Sequence, residues 1–233
     1  MKKLTKAIAL AGVMTTGLTG AQLVQADDHA VEVAASAAVS NMYLWRGADL
    51  GNGAAAVSGD LSVSMGGAYG GVWMSSGDTS FGQEYDLYVG YGGEVEDFSY
   101  DVSAWSYVYP GSDAANGEGN TFDLTEVIVS LGFMGASFSY YYPVAGDGND
   151  DYNYITLGYG IDAYSLTVGM HDDPDDFMGN GSEGYTHVDL GYAFNDNISF
   201  TLSKIVDTSV DIEDTSVDDD LKIAFTYSLP IDM

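Results

Sequence analysis

The chain has 233 residues, no cysteine, and 35 acidic against 6 basic side chains, for a formal net charge of −29. So little positive charge removes nucleic acid as a partner, because no basic footprint exists to neutralise phosphates. The missing cysteines remove a disulfide-stapled extracellular domain, and 30 Gly with 18 Tyr against 4 Pro suit twisted strands and their turns.

In chain order, Lys2, Lys3 and Lys6 precede an apolar run from Ala7 to Leu18 and a Val24-Gln25-Ala26 cleavage pattern. This reads as a secretory signal peptide over residues 1–26. The run is shorter than the roughly 20 residues of a membrane helix, and no later segment is uniformly apolar, so a helical membrane protein is excluded. The expected mature chain is a single domain, residues 27–233, whose basic residues are Arg46, Lys204 and Lys222. Against 35 acids they leave a net charge of −32. Such a field attracts cations and repels anions, although adaptation to a saline habitat leaves the same balance.

The stretch from Ser40 to Ser75 sets the pattern that follows. Val57, Gly59, Leu61, Val63 and Met65 fall on one face, and Ala56, Ser58, Asp60, Ser62 and Ser64 on the other. One face suits lipid and the other water, with Trp45, Tyr69 and Trp73 near the ends, where amphipathic rings sit at headgroup level. Alternating runs continue along the chain at 31–47, 54–65, 68–75, 84–95, 98–109, 122–131, 136–143, 151–159, 164–170, 183–193, 198–206 and 220–229. Most approach the length that a tilted strand needs to cross a bilayer, and the count is even. The connections alternate in length. Those at 48–53, 76–83, 110–121, 144–150, 171–182 and 207–219 are long, and those at 66–67, 96–97, 132–135, 160–163 and 194–197 are short. A soluble sandwich has no reason to gather its long loops at one end. The predicted fold is therefore all-β: a transmembrane antiparallel β-barrel of about 12 strands.

Face by face, Leu87, Val89 and Tyr91 oppose Glu84, Asp86 and Tyr88, while Phe98, Tyr100 and Val102 oppose Ser99, Asp101 and Ser103. In the last run Lys222 opposes Leu221 and Ile223. The pore-lining candidates are Arg46, Asp60, Glu84, Asp86, Asp101, Glu126 and Lys222; the aromatic-girdle candidates are Trp45, Tyr69, Trp73, Tyr91, Phe98 and Tyr227. Arg46 breaks the pattern, because Met42 and Leu44 share its parity. Either a bulge intervenes or Arg46 belongs to the mouth. There it acts as a charge at a constriction or as an ion pair holding the first long loop.

Catalytic groupings are sparse. His29 lies in the N-terminal tail, His171 at a loop edge and His187 in a strand, where a partner such as Ser203 on a neighbouring strand lacks any recognised spacing. The acidic clusters at 147–151, 172–176 and 211–220 offer oxygens to Ca²⁺ but do not follow its loop motif. No metal, cofactor or catalytic residue is expected.

Ser40 to Gly47, Ala56-Val57-Ser58-Gly59, Gly70-Gly71-Val72-Trp73, Asp86 to Tyr91 and Tyr107 to Gly111 match, in order, segments of the TorF family of porin-like barrels, which the chain resembles. The resemblance implies an outer-membrane barrel with no established substrate. The family ends on or very near an aromatic residue that the barrel assembly machinery reads; this chain departs from that pattern, ending Leu229-Pro230-Ile231-Asp232-Met233, with Tyr227 the nearest aromatic and Phe225 before it. The expected protein is a porin-like channel in the outer membrane of a Gram-negative bacterium, for passive diffusion of small hydrophilic solutes or ions, with cations favoured. Its partners are outer-membrane lipid, the assembly machinery and small solutes or cations. The alternative is a non-conducting barrel with a structural or adhesive role.

Overall fold

The computed structural model describes residues 30–79, 82–110, 124–145, 152–174, 181–209, 211 and 217–231. The expected signal peptide, His29, the cluster at 147–151 and nearly all of loop 110–121 lie outside these residues.

The strands are β1 (Glu32–Ser40), the two-residue β2 (Leu44–Trp45) and β3 (Ala48–Asp49), β4 (Ala56–Met65), β5 (Ala68–Asp78), β6 (Gly82–Val95) and β7 (Phe98–Val108). They continue with β8 (Leu124–Phe133), β9 (Ala136–Ala145), β10 (Asn153–Ile161), β11 (Tyr164–Asp172), β12 (Tyr185–Ala193), β13 (Ile198–Thr208) and β14 (Lys222–Ile231). β1 and β4 to β14 form one closed barrel of twelve antiparallel strands, and β2 and β3 pair only with each other. Closure is direct. β1 pairs with β4 through Ala37↔Gly59 and with β14 through Ala37↔Leu229, so the sheet closes on itself.

Period-two alternation explains the two faces. Val57, Leu61, Val63, Met65, Val89, Val102, Leu157, Leu190 and Ile223 are exposed on the outside, while Ser58, Glu84, Asp86, Glu126 and Ser203 are buried inside. This apolar exterior and polar interior invert the arrangement of a soluble domain, which buries its apolar surface.

The twelve expected strands all occur, with shifted ends. The turns expected at 132–135 and 160–163 tighten to Met134–Gly135 and Asp162–Ala163. Gly132 and Gly160 there continue the ladder, pairing with Ser137 and Ser165. Their glycines read as turn signals, yet Gly132 faces the barrel interior, where a side chain would collide with Ser99. The largest correction concerns the first run. Expected to extend to Gly47, it leaves the wall after Ser40, and residues 41–55 fold inward around the β2–β3 hairpin.

Candidate functional site

Asn41 turns the chain into the lumen. Its N–H donates to the Phe225 carbonyl at 3.2 Å, its Nδ2 donates to the Ile223 carbonyl at 3.0 Å, and its Oδ1 accepts from the Phe225 N–H at 2.6 Å. A side-chain amide thus satisfies the stretch of β14 that β1 no longer pairs. Tyr43, buried behind it, donates its hydroxyl to the Glu84 carboxylate. Burial, reinforced by the Glu84 charge, pushes that hydroxyl well above the ordinary tyrosine range and keeps it a donor.

The hairpin pairs Leu44↔Asp49 and Trp45↔Ala48, leaving Arg46 and Gly47 as a two-residue turn with φ of 46° and 86°. Positive φ at both positions marks the tight hairpin turn that suits strand twist and usually carries Asn-Gly. An L side chain there costs about 1–2 kcal/mol. Gly47 has a further reason to be glycine: an added Cβ would stand 2.7 Å from Cβ of His187. The base of the hairpin is tied by the Leu50 N–H to the Tyr43 carbonyl at 2.9 Å, by the Thr79 N–H to the Leu50 carbonyl at 3.1 Å, and by the Asp49 carboxylate accepting from the Gly51 and Gly53 N–H groups.

At the tip, Arg46 is 0% exposed, as is Glu126 of β8. Its Nη1 donates to Glu126 Oε1 at 3.1 Å and to the Tyr152 hydroxyl at 2.5 Å, and its Nη2 donates to Glu126 Oε2 at 2.5 Å. The guanidinium carbon stands 4.5 Å from the ring centroid of Tyr154, 4.6 Å from Tyr141 and 4.4 Å from Trp45. Tyr107 donates to the same Glu126 oxygen at 2.8 Å, and Tyr185 donates to the Arg46 carbonyl at 3.0 Å. Burial holds the Tyr152 hydroxyl protonated, well above its usual range, so it can accept from Arg46 and donate to His171 Nδ1 at 3.2 Å. A planar cation with two paired nitrogens and aromatic rings on its faces is the arrangement that arginine satisfies and lysine does not. Arg46 and Glu126 form this ion pair inside the lumen and tie the first long loop to the wall.

The acids around this pair outnumber the bases. Both oxygens of Asp86 and Oε1 of Glu84 are buried without a hydrogen-bond partner among the described residues. Lys222 is inward and buried at the rim, where Nζ donates to the Asp218 and Asp220 carbonyls at 2.6 and 3.2 Å and lies 3.4 Å from Asp218 Oδ2. Asp60 and Asp101 lie deeper, toward the short turns, partly exposed; Tyr88 donates to Asp60 and Tyr69 to Asp101, each at 2.7 Å. The seven pore-lining candidates thus face inward; Arg46 and Glu126 form an ion pair, and Glu84 and Asp86 lie side by side.

The girdle candidates divide. Trp45, Tyr69 and Trp73 are corrected to the interior: Trp45 lies against Arg46, Tyr69 bonds Asp101, and Trp73 packs on Tyr43 with ring centroids 6.2 Å apart. Tyr69 and Trp73 share the inward parity of Gly71 and Ser75, so their position along the strand misled where their parity did not. Tyr91, Phe98 and Tyr227 are exposed on the outer face.

His187 does not meet Ser203. Its Nδ1 lies 3.1 Å from Asp189 Oδ1 and its Nε2 lies 2.8 Å from the Tyr154 hydroxyl, leaving no nitrogen for a serine. Among the described residues no group of three or more His, Cys, Asp and Glu side chains could hold a metal ion. Sequence reasoning missed Tyr107, Tyr141, Tyr152, Tyr154 and Asn41. The available signal was parity. Tyr141 shares the inward parity of Ser137 and Ser139, an aromatic placed where a water-lined wall would carry a small polar residue.

No curated protein matches the chain. Among solved structures, outer membrane phospholipase A from Escherichia coli aligns with a TM-score of 0.41 at 10% identity, over 84% of this chain and 88% of that one. The COG4313 outer membrane channel from Pseudomonas putida F1 aligns with a TM-score of 0.39 at 10% identity, over 88% and 98%. OccAB4 of Acinetobacter baumannii aligns with a TM-score of 0.38 at 13% identity, over 76% of this chain and 54% of that one, so the chain spans about half its length. The sequence itself matches a family model over residues 25–229, nearly the whole barrel, and the chain belongs to that family, described as bacterial protein of unknown function (Gcw_chp).

Proposed function

We propose that the protein is a channel of the bacterial outer membrane, for passive diffusion of small hydrophilic solutes and chiefly of cations, shut in this conformation by the β2–β3 hairpin. The observation that carries the reading is the wall itself. Its outer face is a continuous apolar band, and its inner face toward the short turns is Ser62, Ser64, Ser99, Ser137, Ser165 and Thr167 with the carboxylates of Asp60 and Asp101. The tip of the plug meets the wall through an ion pair and tyrosine hydroxyls, whose hydrogen bonds water can replace, beside the buried apolar side chains of Leu44 and Trp45. The resemblance to TorF barrels in the segments quoted above agrees with this reading.

Placement in the membrane is tested by Val89→Arg in the middle of β6. In lipid this change costs about 2–4 kcal/mol and lowers recovery in the outer-membrane fraction; on a water-exposed surface it would be silent. Conduction is tested in a planar bilayer. The wild type is expected to pass small, infrequent, cation-selective currents, and replacement of residues 42–52 by a short Gly-Ser link should make them large and steady. Selectivity should fall between 0.1 and 1 M salt, as the screening length drops from about 10 to about 3 Å, and an anion-selective reversal potential would overturn the assignment. A second reading, a non-conducting barrel acting through its acidic loops, is favoured by the complete burial of the hairpin tip. Absence of current from the variant without the hairpin would select it.

A further inference from the structure

We propose that the barrel wall carries a binding site for monosubstituted guanidinium cations, which the protein's own Arg46 occupies as an internal competitor. The inference rests on the channel reading only in making that ligand a permeant solute. Apart from Trp45 of the hairpin, whose ring centroid lies 4.4 Å from the guanidinium carbon, the elements of the site come from consecutive wall strands: Tyr107 of β7, Glu126 of β8, Tyr141 of β9 and Tyr154 of β10, with Tyr152 just before β10. The wall contacts of the guanidinium serve its outer end. Both terminal nitrogens are paired to Glu126, Nη1 also meets Tyr152, and the rings of Tyr141 and Tyr154 stand 4.6 and 4.5 Å from its carbon. Nε, the atom through which the hairpin is attached, is buried and has no hydrogen-bond partner among the described residues. The wall's contacts to the guanidinium therefore read what every monosubstituted guanidinium presents; what is specific to Arg46 is held separately, by Tyr185 donating to its backbone carbonyl at 3.0 Å.

Three further facts favour an exchangeable occupant. The cation rides on a two-residue tip in a backbone conformation that disfavours any L side chain, at φ of 46°. It is the only arginine in a chain with 35 acids, so the cage is lined for a cation that the rest of the protein does not use. The acidic field of the mouth draws cations of the same kind from solution. An ammonium satisfies the cage poorly, since it cannot offer two parallel N–H groups to Glu126 while lying flat between rings.

The experiment uses the purified full barrel in detergent, with agmatine as the guanidinium probe and n-butylammonium and NaCl as controls. Arg46→Ala strands Glu126 in a buried site, and the unfolding midpoint should drop by about 10 °C. Agmatine at millimolar concentration should restore at least half of that loss in Arg46→Ala, leave the wild type unchanged and do nothing for the double variant Arg46→Ala with Glu126→Gln. Equal restoration by butylammonium or NaCl, or no restoration at all, overturns the site. Should Arg46→Ala fail to assemble, agmatine is titrated calorimetrically against Arg46→Gln, which leaves the cage without a tethered cation; no binding there overturns the site as well. Rescue in a barrel that never conducts leaves the site and removes the channel, whereas conduction without rescue removes the site alone.

Discussion

The two halves of the barrel interior are built from different materials. Toward the long loops the lumen is filled by Tyr43, Trp45, Arg46, Glu126, Tyr141, Tyr154 and His187, all buried. Toward the short turns the inward positions are mostly Ser, Thr, Gly and Ala, and Asp60 and Asp101 are partly exposed. The same ring of strands surrounds both. The difference teaches that barrel circumference does not decide whether a lumen is filled; side-chain size at inward positions and the path of one loop do.

In the loop-side half, buried charges depend on one another, and this predicts the largest contrast. Glu126→Ala leaves Arg46 buried without its carboxylate and should cost about 3–5 kcal/mol, read as a lowered unfolding midpoint in detergent. Asp101→Asn in the turn-side half, where Tyr69 still has an oxygen to donate to and water is near, should cost less than about 1 kcal/mol. Similar losses at both positions would erase the distinction.

Packing offers the next contrast. A Cβ on Gly169 would collide with the imidazole of His187 and the hydroxyl of Tyr154, whereas on Gly158 it would meet the hydroxyl of Ser137. The first pair is locked by its own hydrogen bond at 2.8 Å, and the serine can rotate away. Gly169→Ala should therefore cost about 1–3 kcal/mol and Gly158→Ala only a few tenths. Denaturant midpoints of the two variants check this.

A third measurement sharpens the electrostatic side. In the variant without the hairpin, Asp60→Asn with Asp101→Asn should move the reversal potential toward zero, because these carboxylates then border the path. An unchanged potential would place control of selectivity in the loop-side acids Glu84 and Asp86. The smallest effect is expected outside both halves. Lys204 Nζ lies 3.7 Å from Asp219 Oδ2 with both side chains about half exposed, and Lys204→Ala should change stability by less than about 0.5 kcal/mol.

How far the sequence was legible follows the same division. Asp60, Glu84, Asp86, Asp101 and Lys222 could be placed on the inner face because parity along a strand is a local property. Depth was harder. Tyr69 and Trp73 stand at the strand positions of a girdle, yet they point inward, and Gly132 and Gly160 looked like turn residues while serving as inward positions in the ladder. Arg46 was the hardest. Its conflict of parity with Met42 and Leu44 signalled that the strand had ended, but not where the chain went next.

The sequence by itself determined a closed wall of twelve strands with an apolar outside, because alternation, turn residues and loop lengths act within a few residues of one another and lipid accepts no open edge. Only the tertiary structure decided that Arg46 meets Glu126 80 positions away, and that one half of the lumen is filled. That meeting depends on the register accumulated around the ring and on Asn41 replacing β1 on the edge of β14. No local pattern encodes either, since parity assigns a side chain to a face but leaves its height and its partner across the lumen open.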